Sequence, residues 1–295
     1  MATKKQQFLN IPHNIFMENA DFRLDMADEC VVNGRNVAKT TEKKIDENVY
    51  LRSLVIAHDD DAKIFKRDKG KYVTVEVRDA PLTEREEKTV VKTLKDILRD
   101  MCSTRLRSKP KVLIAGLGNR AIIADSVGPL TVDNINVHGR TEVFAFSTGI
   151  FSMTGMESAT VVRAIAKETD ANVVIVIDTL ATSRAGRIFR SFQVTDAGLE
   201  PGSATMAGRE KITFGSVGVP VIAIGVPTCV YARQLVNDAL SRAEDVSVAK
   251  RYDVIHEVLG CDVSMILAPK NVEEGVRTAA RIISDSVNGC FCGRR

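Results

Sequence analysis

Apolar and polar positions change rhythm along the chain. Residues 1–47 are polar and show no sustained period, so they read as an extended N-terminal segment. Two strand-like stretches follow, Val49–Ile56 and Tyr72–Val77; the second alternates apolar and polar side chains as a half-buried strand does. Lys66–Gly70 between them carries a turn signal. Thr83 followed by Glu86 predicts a capping box. Val90, Val91, Leu94, Ile97, Leu98 and Met101 then fall on one face of a helix, and Pro110 closes the section.

Beyond Lys111 the pattern becomes strand, loop and helix in alternation. Strands are predicted at Val112–Ala115, Glu142–Phe146, Val173–Ile177, Phe192–Val194 and Val219–Ile224. Two of these are near-continuous apolar runs, as expected of strands covered on both faces. Helices are predicted at Gly155–Lys167, Tyr231–Ala243 and Val272–Val287. Such alternation argues for a three-layer α/β domain with a mostly parallel sheet, carrying an N-terminal β-rich elaboration at about residues 48–79.

Composition narrows the function. The 295 residues are 44 % apolar and 27 % charged, which excludes a disordered or fibrous chain. A net charge of +3 gives no reason to expect nucleic-acid contact. The N-terminus lacks an apolar signal region. The most apolar stretch, residues 219–232, is broken by prolines and glycines and is too short to span a bilayer. A cytoplasmic protein without membrane contact is expected. The six cysteines are scattered and read as free thiols, with Cys290 and Cys292 in a frayed tail. No metal-ligand spacing or cofactor motif stands out, so no metal or cofactor is expected.

In open α/β sheets, sites form at the carboxyl ends of strands. Gly116-Leu-Gly-Asn119 and then Asp125-Ser-Val-Gly-Pro129 follow the first parallel strand, and Asp178-Thr-Leu-Ala181 follows the third. Gly116-x-Gly118 partly fits a dinucleotide turn, but Ala121 stands at the third glycine position. Ser147 and Thr148 stand where a ribose-binding acid is needed. Asp125 and Asp178 are the sharper candidates. Two carboxyl groups held close cannot both ionise cheaply, so one keeps a proton and the pair can perform acid–base hydrolysis of an amide. Each also has a structural alternative, Asp125 as a helix N-cap and Asp178 as a strand end. Thr154 and Glu157 fit a capping box, and Asp196 with Pro201-Gly-Ser203 fits a rigid surface loop. Ser126 lacks the setting of a serine nucleophile.

At these residues the chain resembles the germination (spore) protease family. The resemblance is carried by Gly116–Asn119, Asp125–Pro129, Met153–Glu157, Ile177–Ala181, Gln193–Gly198, Pro201–Ser203 and Pro220–Thr228, with a further match at Phe22–Ala27. Thr179 stands where the family usually has alanine, and Arg184 and Arg187 sit in a slightly altered order. The resemblance implies a fold like that of the hydrogenase-maturation peptidases. It also implies an aspartic-type, metal-independent endopeptidase with catalytic Asp125 and Asp178. Its expected substrates are small acid-soluble spore proteins, degraded during germination in the spore core. A homotetramer is implied, made as a zymogen that removes residues 1–21 at or near Asp21-Phe22 and leaves a single peptidase domain over 22–295. The competing readings are a hydrogenase-maturation-type peptidase and a non-enzymatic nucleotide-binding module.

Overall fold

The computed structural model describes residues 31–292 apart from 33–34, 37–38, 66, 79–81, 104–109, 138–141, 202–208, 244–245 and 261–264. The expected junction at Asp21-Phe22 therefore lies outside the described residues. Two short strands, β1 (Val31–Val32) and β2 (Arg35–Asn36), pair antiparallel, and β3 (Lys39–Lys44) continues the chain. The end of the polar N-terminal stretch is thus sheet: β3 lies antiparallel along β4 (Val49–Ile56).

The link from β4 to β5 (Gly70–Val77) contains helix α1 (Asp59–Phe65), which the turn signal does not anticipate. Its sequence is short and polar, but Asp59, Asp60 and Asp61 sit in the first turn, where the helix dipole favours negative charge. Helix α2 (Glu84–Ser103) begins where the capping signal places it. The Thr83 hydroxyl donates to the Glu86 carboxylate, and Val90, Leu94, Ile97, Leu98 and Met101 are buried along one face.

The alternating half follows as β6 (Val112–Leu117), α3 (Val127–Asp133), β7 (Val143–Gly149), α4 (Phe151–Thr154), α5 (Ser158–Glu168) and β8 (Val173–Thr182). After it come β9 (Ser191–Thr195), α6 (Phe214–Val217), β10 (Val221–Tyr231), α7 (Ala232–Ser241), α8 (Val248–Leu259), β11 (Ile266–Leu267) and α9 (Val272–Phe291). Helix α9 runs through Cys290, and both Cys290 and Cys292 are half-buried, so this end is a packed helix rather than a frayed tail. The expected capping box at Thr154 is absent. Glu157 stands at the N-cap of α5 without a side-chain cap bond, and the Thr154 hydroxyl instead accepts from the Met156 amide.

Among the described residues β3 to β11 form one nine-stranded sheet in the order β3-β4-β5-β9-β10-β8-β6-β7, with β11 paired to β10, and β1 with β2 forms a separate ribbon. β7, β6, β8 and β10 are mutually parallel. From β10 outward the sheet is antiparallel. β9 is the joint, with Thr195 opposite both Tyr72 on β5 and Ala223 on β10. The N-terminal hairpin is therefore a continuation of the main sheet.

Alternate residues of the central strands face two cores. Val112, Ile114, Val173, Ile175, Ile177, Ile222 and Ile224 pack toward α2, α3 and α9. Leu113, Ala115, Val174, Val176 and Ala223 pack toward α5 and the Phe65 end of α1. The result is the three-layer α/β sandwich that the apolar runs imply.

Candidate active site

The order of the parallel strands places a crevice. From β6 the chain crosses by α3 to β7 on one side, and from β7 it crosses by α5 to β8 on the other side of β6. The direction of winding reverses between β6 and β8, and the crevice beyond their carboxyl ends is where open α/β sheets place ligands. Gly116 on β6 lies opposite Ile177 on β8, so the loop after β6 and the residue Asp178 emerge side by side.

Three glycines let the backbone close over this point. A side chain on Gly128 would put its Cβ 2.3 Å from the Leu117 carbonyl oxygen and 2.6 Å from that of Ile177. One on Gly116 would meet the Gly128 carbonyl oxygen at 2.4 Å. The start of α3 therefore rests directly on the ends of β6 and β8. Gly118 has φ +109°, and a Cβ there would lie 2.1 Å from the Asp125 carbonyl oxygen. These glycines are explained by close backbone packing around Asp125 and need no phosphate. Gly128→Ala is expected to destabilise the protein by roughly 3 kcal/mol, the upper end for an overpacked interior, because backbone atoms block the new methyl. Urea unfolding measures this, and an unchanged midpoint would contradict it.

Asp125 ends a 3₁₀ turn, Ile123–Asp125, and Ser126, not Asp125, occupies the N-cap of α3. The capping explanation for Asp125 thus fails. Its carboxylate turns back to the β6 loop: Oδ2 accepts from the Asn119 amide at 2.8 Å, and Oδ1 accepts from the Thr179 hydroxyl at 2.9 Å. The Asn119 side chain in turn accepts from the Ala121 amide at 2.9 Å, which holds the loop in shape. Asp178 does not end its strand either, since β8 continues to Thr182. Its Oδ1 accepts from the Thr179 amide at 2.9 Å.

The two acids do meet at one crevice, with Thr179 between them. No hydrogen bond joins the two carboxyl groups directly; Thr179 binds one through its hydroxyl and the other through its amide. Burial, followed by the charge of Asp125, pushes the Asp178 carboxyl up to about 8, against the pull of the Thr179 amide. Burial also raises Asp125, but the Thr179 hydroxyl and the Asn119 amide both oppose that rise by favouring its ionised form. The two neighbouring acids are thus held in unequal surroundings.

Cys229 on β10 completes the rim. Its thiol is half-buried, points to the Leu180 carbonyl oxygen at 3.9 Å and is pushed up by burial and, to a lesser extent, by the charge of Asp125. Nothing in the scattered cysteine pattern distinguishes it; only the parallel register that sets it opposite Ala181 does so. Asn119 and Thr179 lie within the motif stretches of the sequence, but their bonds to Asp125 and Asp178 are not legible there.

The other candidate residues have structural tasks. Asp196 accepts from the Lys71 amide at 2.7 Å and ties β9 to β5. Arg187 is buried and pairs with Glu76 at 3.0 Å. Ser126 donates to the Ile123 carbonyl oxygen at 2.8 Å. Among the described residues no three His, Cys, Asp or Glu side chains cluster to hold a metal ion, and no helix is long and apolar enough to cross a membrane.

Fold and crevice together define a three-layer α/β protein with paired acids at the switch point of its parallel strands. Residues 17–243 match the family described as Germination protease, and the chain belongs to that family; it is a spore-germination endopeptidase. Germination proteases of Clostridium acetobutylicum and Caldanaerobacter subterraneus are similar to it along most of their lengths. The first is 28 % identical, covering 90 % of this chain and 91 % of the relative; the second is 30 % identical, covering 82 % and 85 %. The germination protease of Priestia megaterium is 29 % identical over 67 % of this chain and 58 % of its own. Among solved structures, the [NiFe] hydrogenase maturation protease HycI from Thermococcus kodakarensis aligns over 65 % of this chain and 99 % of its own. Its TM-score of 0.37 and 16 % identity are too low to transfer function.

Proposed function

We propose that this chain is an aspartic-type, metal-independent endopeptidase in which Asp125 is the general base and Asp178 the general acid. The observation that carries this reading is the unequal treatment of two acids in one crevice: Asp125 receives two donors, while Asp178, more deeply confined and facing the Asp125 charge, retains its proton at neutral pH. Asp125 takes a proton from water, and the resulting hydroxide adds to the scissile carbonyl carbon. Asp178 supplies the proton that the departing amide nitrogen needs. The cycle then closes when the proton held by Asp125 returns to Asp178.

The family assignment supports small acid-soluble spore proteins as substrates in the spore core of an endospore-forming bacterium, with a homotetramer as the working assembly. It also supports a zymogen that loses residues 1–21 by a cut near Asp21-Phe22 and leaves the 22–295 peptidase domain.

The test is digestion of a purified small acid-soluble spore protein in the presence of a chelator, read by peptide mapping. Discrete fragments from wild type, and none from Asp125→Asn or Asp178→Asn, are expected. Cleavage abolished by the chelator would overturn metal independence and favour the maturation-type reading. Separately, intact mass after incubation in mildly acidic buffer is expected to show loss of residues 1–21. An unchanged mass would reject self-processing.

A further inference from the structure

We infer that Thr179 is a positioning residue which widens the difference between the two acids: its hydroxyl holds the negative charge on Asp125 while its amide orients Asp178. This rests on the proposed catalytic use of both acids and goes beyond it, because it assigns part of the asymmetry, beside the burial that raises Asp178, to one side chain.

The geometry is specific. A single residue reaches both carboxyl groups, Asp125 Oδ1 from Oγ1 at 2.9 Å and Asp178 Oδ1 from its amide at 2.9 Å. The amide bond orients Asp178 whatever side chain stands at 179. The hydroxyl bond depends on the side chain alone, and it favours the acid that must be ionised to act as base. A hydroxyl donating to a carboxylate is among the stronger hydrogen bonds in a protein interior.

The groups around Asp125 leave Thr179 as the side chain able to tune it. From β8 comes Asp178, whose ionisation would oppose that of Asp125. From β10 comes Cys229, a thiol held protonated by burial. The loop after β6 supplies the backbone amide of Asn119, which substitution does not remove. The charged residue of α3, Asp133, is paired with Arg120. α9 faces this turn with the apolar row that includes Val272 and Val276, packed in the same core as Ile123.

Three forms decide the matter: wild type, Thr179→Val, which keeps the shape and the amide but loses the hydroxyl, and Thr179→Ser, which keeps the hydroxyl. The acid limb of kcat/KM against pH reports ionisation of the base. In Thr179→Val this limb is expected to move to higher pH by about one pH unit, a tenfold change in the ionised fraction at a given acidic pH. KM should change little, and Thr179→Ser should return the limb to its wild-type position. An unmoved limb in Thr179→Val, or no rescue by serine, overturns the inference.

Carbon-13 titration of the aspartate carboxyls in wild type checks the order of ionisation on which the inference rests. Asp125 is expected to ionise at lower pH than Asp178, and the reverse order overturns the assignment. Asp125→Asn separates the inference from the reading beneath it. If that variant stays active, the catalytic reading itself fails. If it is inactive while the Thr179→Val limb does not move, only the role of Thr179 fails.

Discussion

Asp178→Asn is expected to lose activity by about 10²–10⁴-fold and, at neutral pH, to make the protein more stable. Both effects have one cause. The Asp178 carboxyl is raised from 3.8 to about 8 by burial and then by the charge of Asp125. A group whose folded value lies above its unfolded value contributes stability that is fully present below the unfolded value. That contribution drains away as pH rises toward the folded value. The contribution of Asp178 to stability therefore falls between about pH 4 and about pH 8, because the unfolded chain releases a proton that the folded chain keeps.

Asparagine has no proton to release, yet its side-chain oxygen can still accept from the Thr179 amide. The gain at neutral pH is on the order of 3 kcal/mol, at about 1.4 kcal/mol for each tenfold change in proton affinity, discounted for the part of the side chain still open to water. Urea unfolding of wild type and variant at pH 5 and pH 7.5 checks it. The stability difference should widen at the higher pH, and an equal difference at both would contradict a proton-bearing Asp178.

Asp125→Asn is expected to reduce activity by a similar factor, about 10²–10⁴, for a different reason. The amide oxygen can accept from Asn119, and the amide nitrogen can donate to the Thr179 hydroxyl, so the loop should keep its shape. What disappears is the group that takes the proton from water. The negative charge beside Asp178 disappears with it, so Asp178 should ionise at lower pH in this variant. Groups that act as one unit are not additive. The double variant should be scarcely less active than either single one, and single-turnover cleavage of a small acid-soluble spore protein by all four forms measures this. Losses that multiply would mean the two acids serve separate steps.

Much of the fold could be read along the chain. Val112–Ala115 and Val173–Ile177 are apolar at every position, which only strands covered on both faces tolerate, and they form the central parallel pair. The amphipathic row from Val90 to Met101 buries the face it predicts. Other features resisted local reading. α1 is short and opens with three aspartates, so helix and turn signals compete there. β9 is five residues long, and nothing local marks it as the strand that binds the N-terminal hairpin to the parallel half. The box read at Thr154 and Glu157 matches in spacing, but Gly155 takes a left-handed conformation at φ +69°, ends α4 and starts α5 afresh.

What the sequence determined by itself was the presence of two acids following apolar runs, the glycines around the first of them, and the family to which such motifs belong. Those follow from residue type and order alone. Only the tertiary structure decided that Asp125 turns back to Asn119, that Asp178 lies inside its strand, and that Thr179 stands between the two. The reason is physical. Which carboxyl group keeps its proton depends on burial, on the neighbouring charge and on individual donors, and the reversal of winding between β6 and β8 brings these together from segments far apart in the chain.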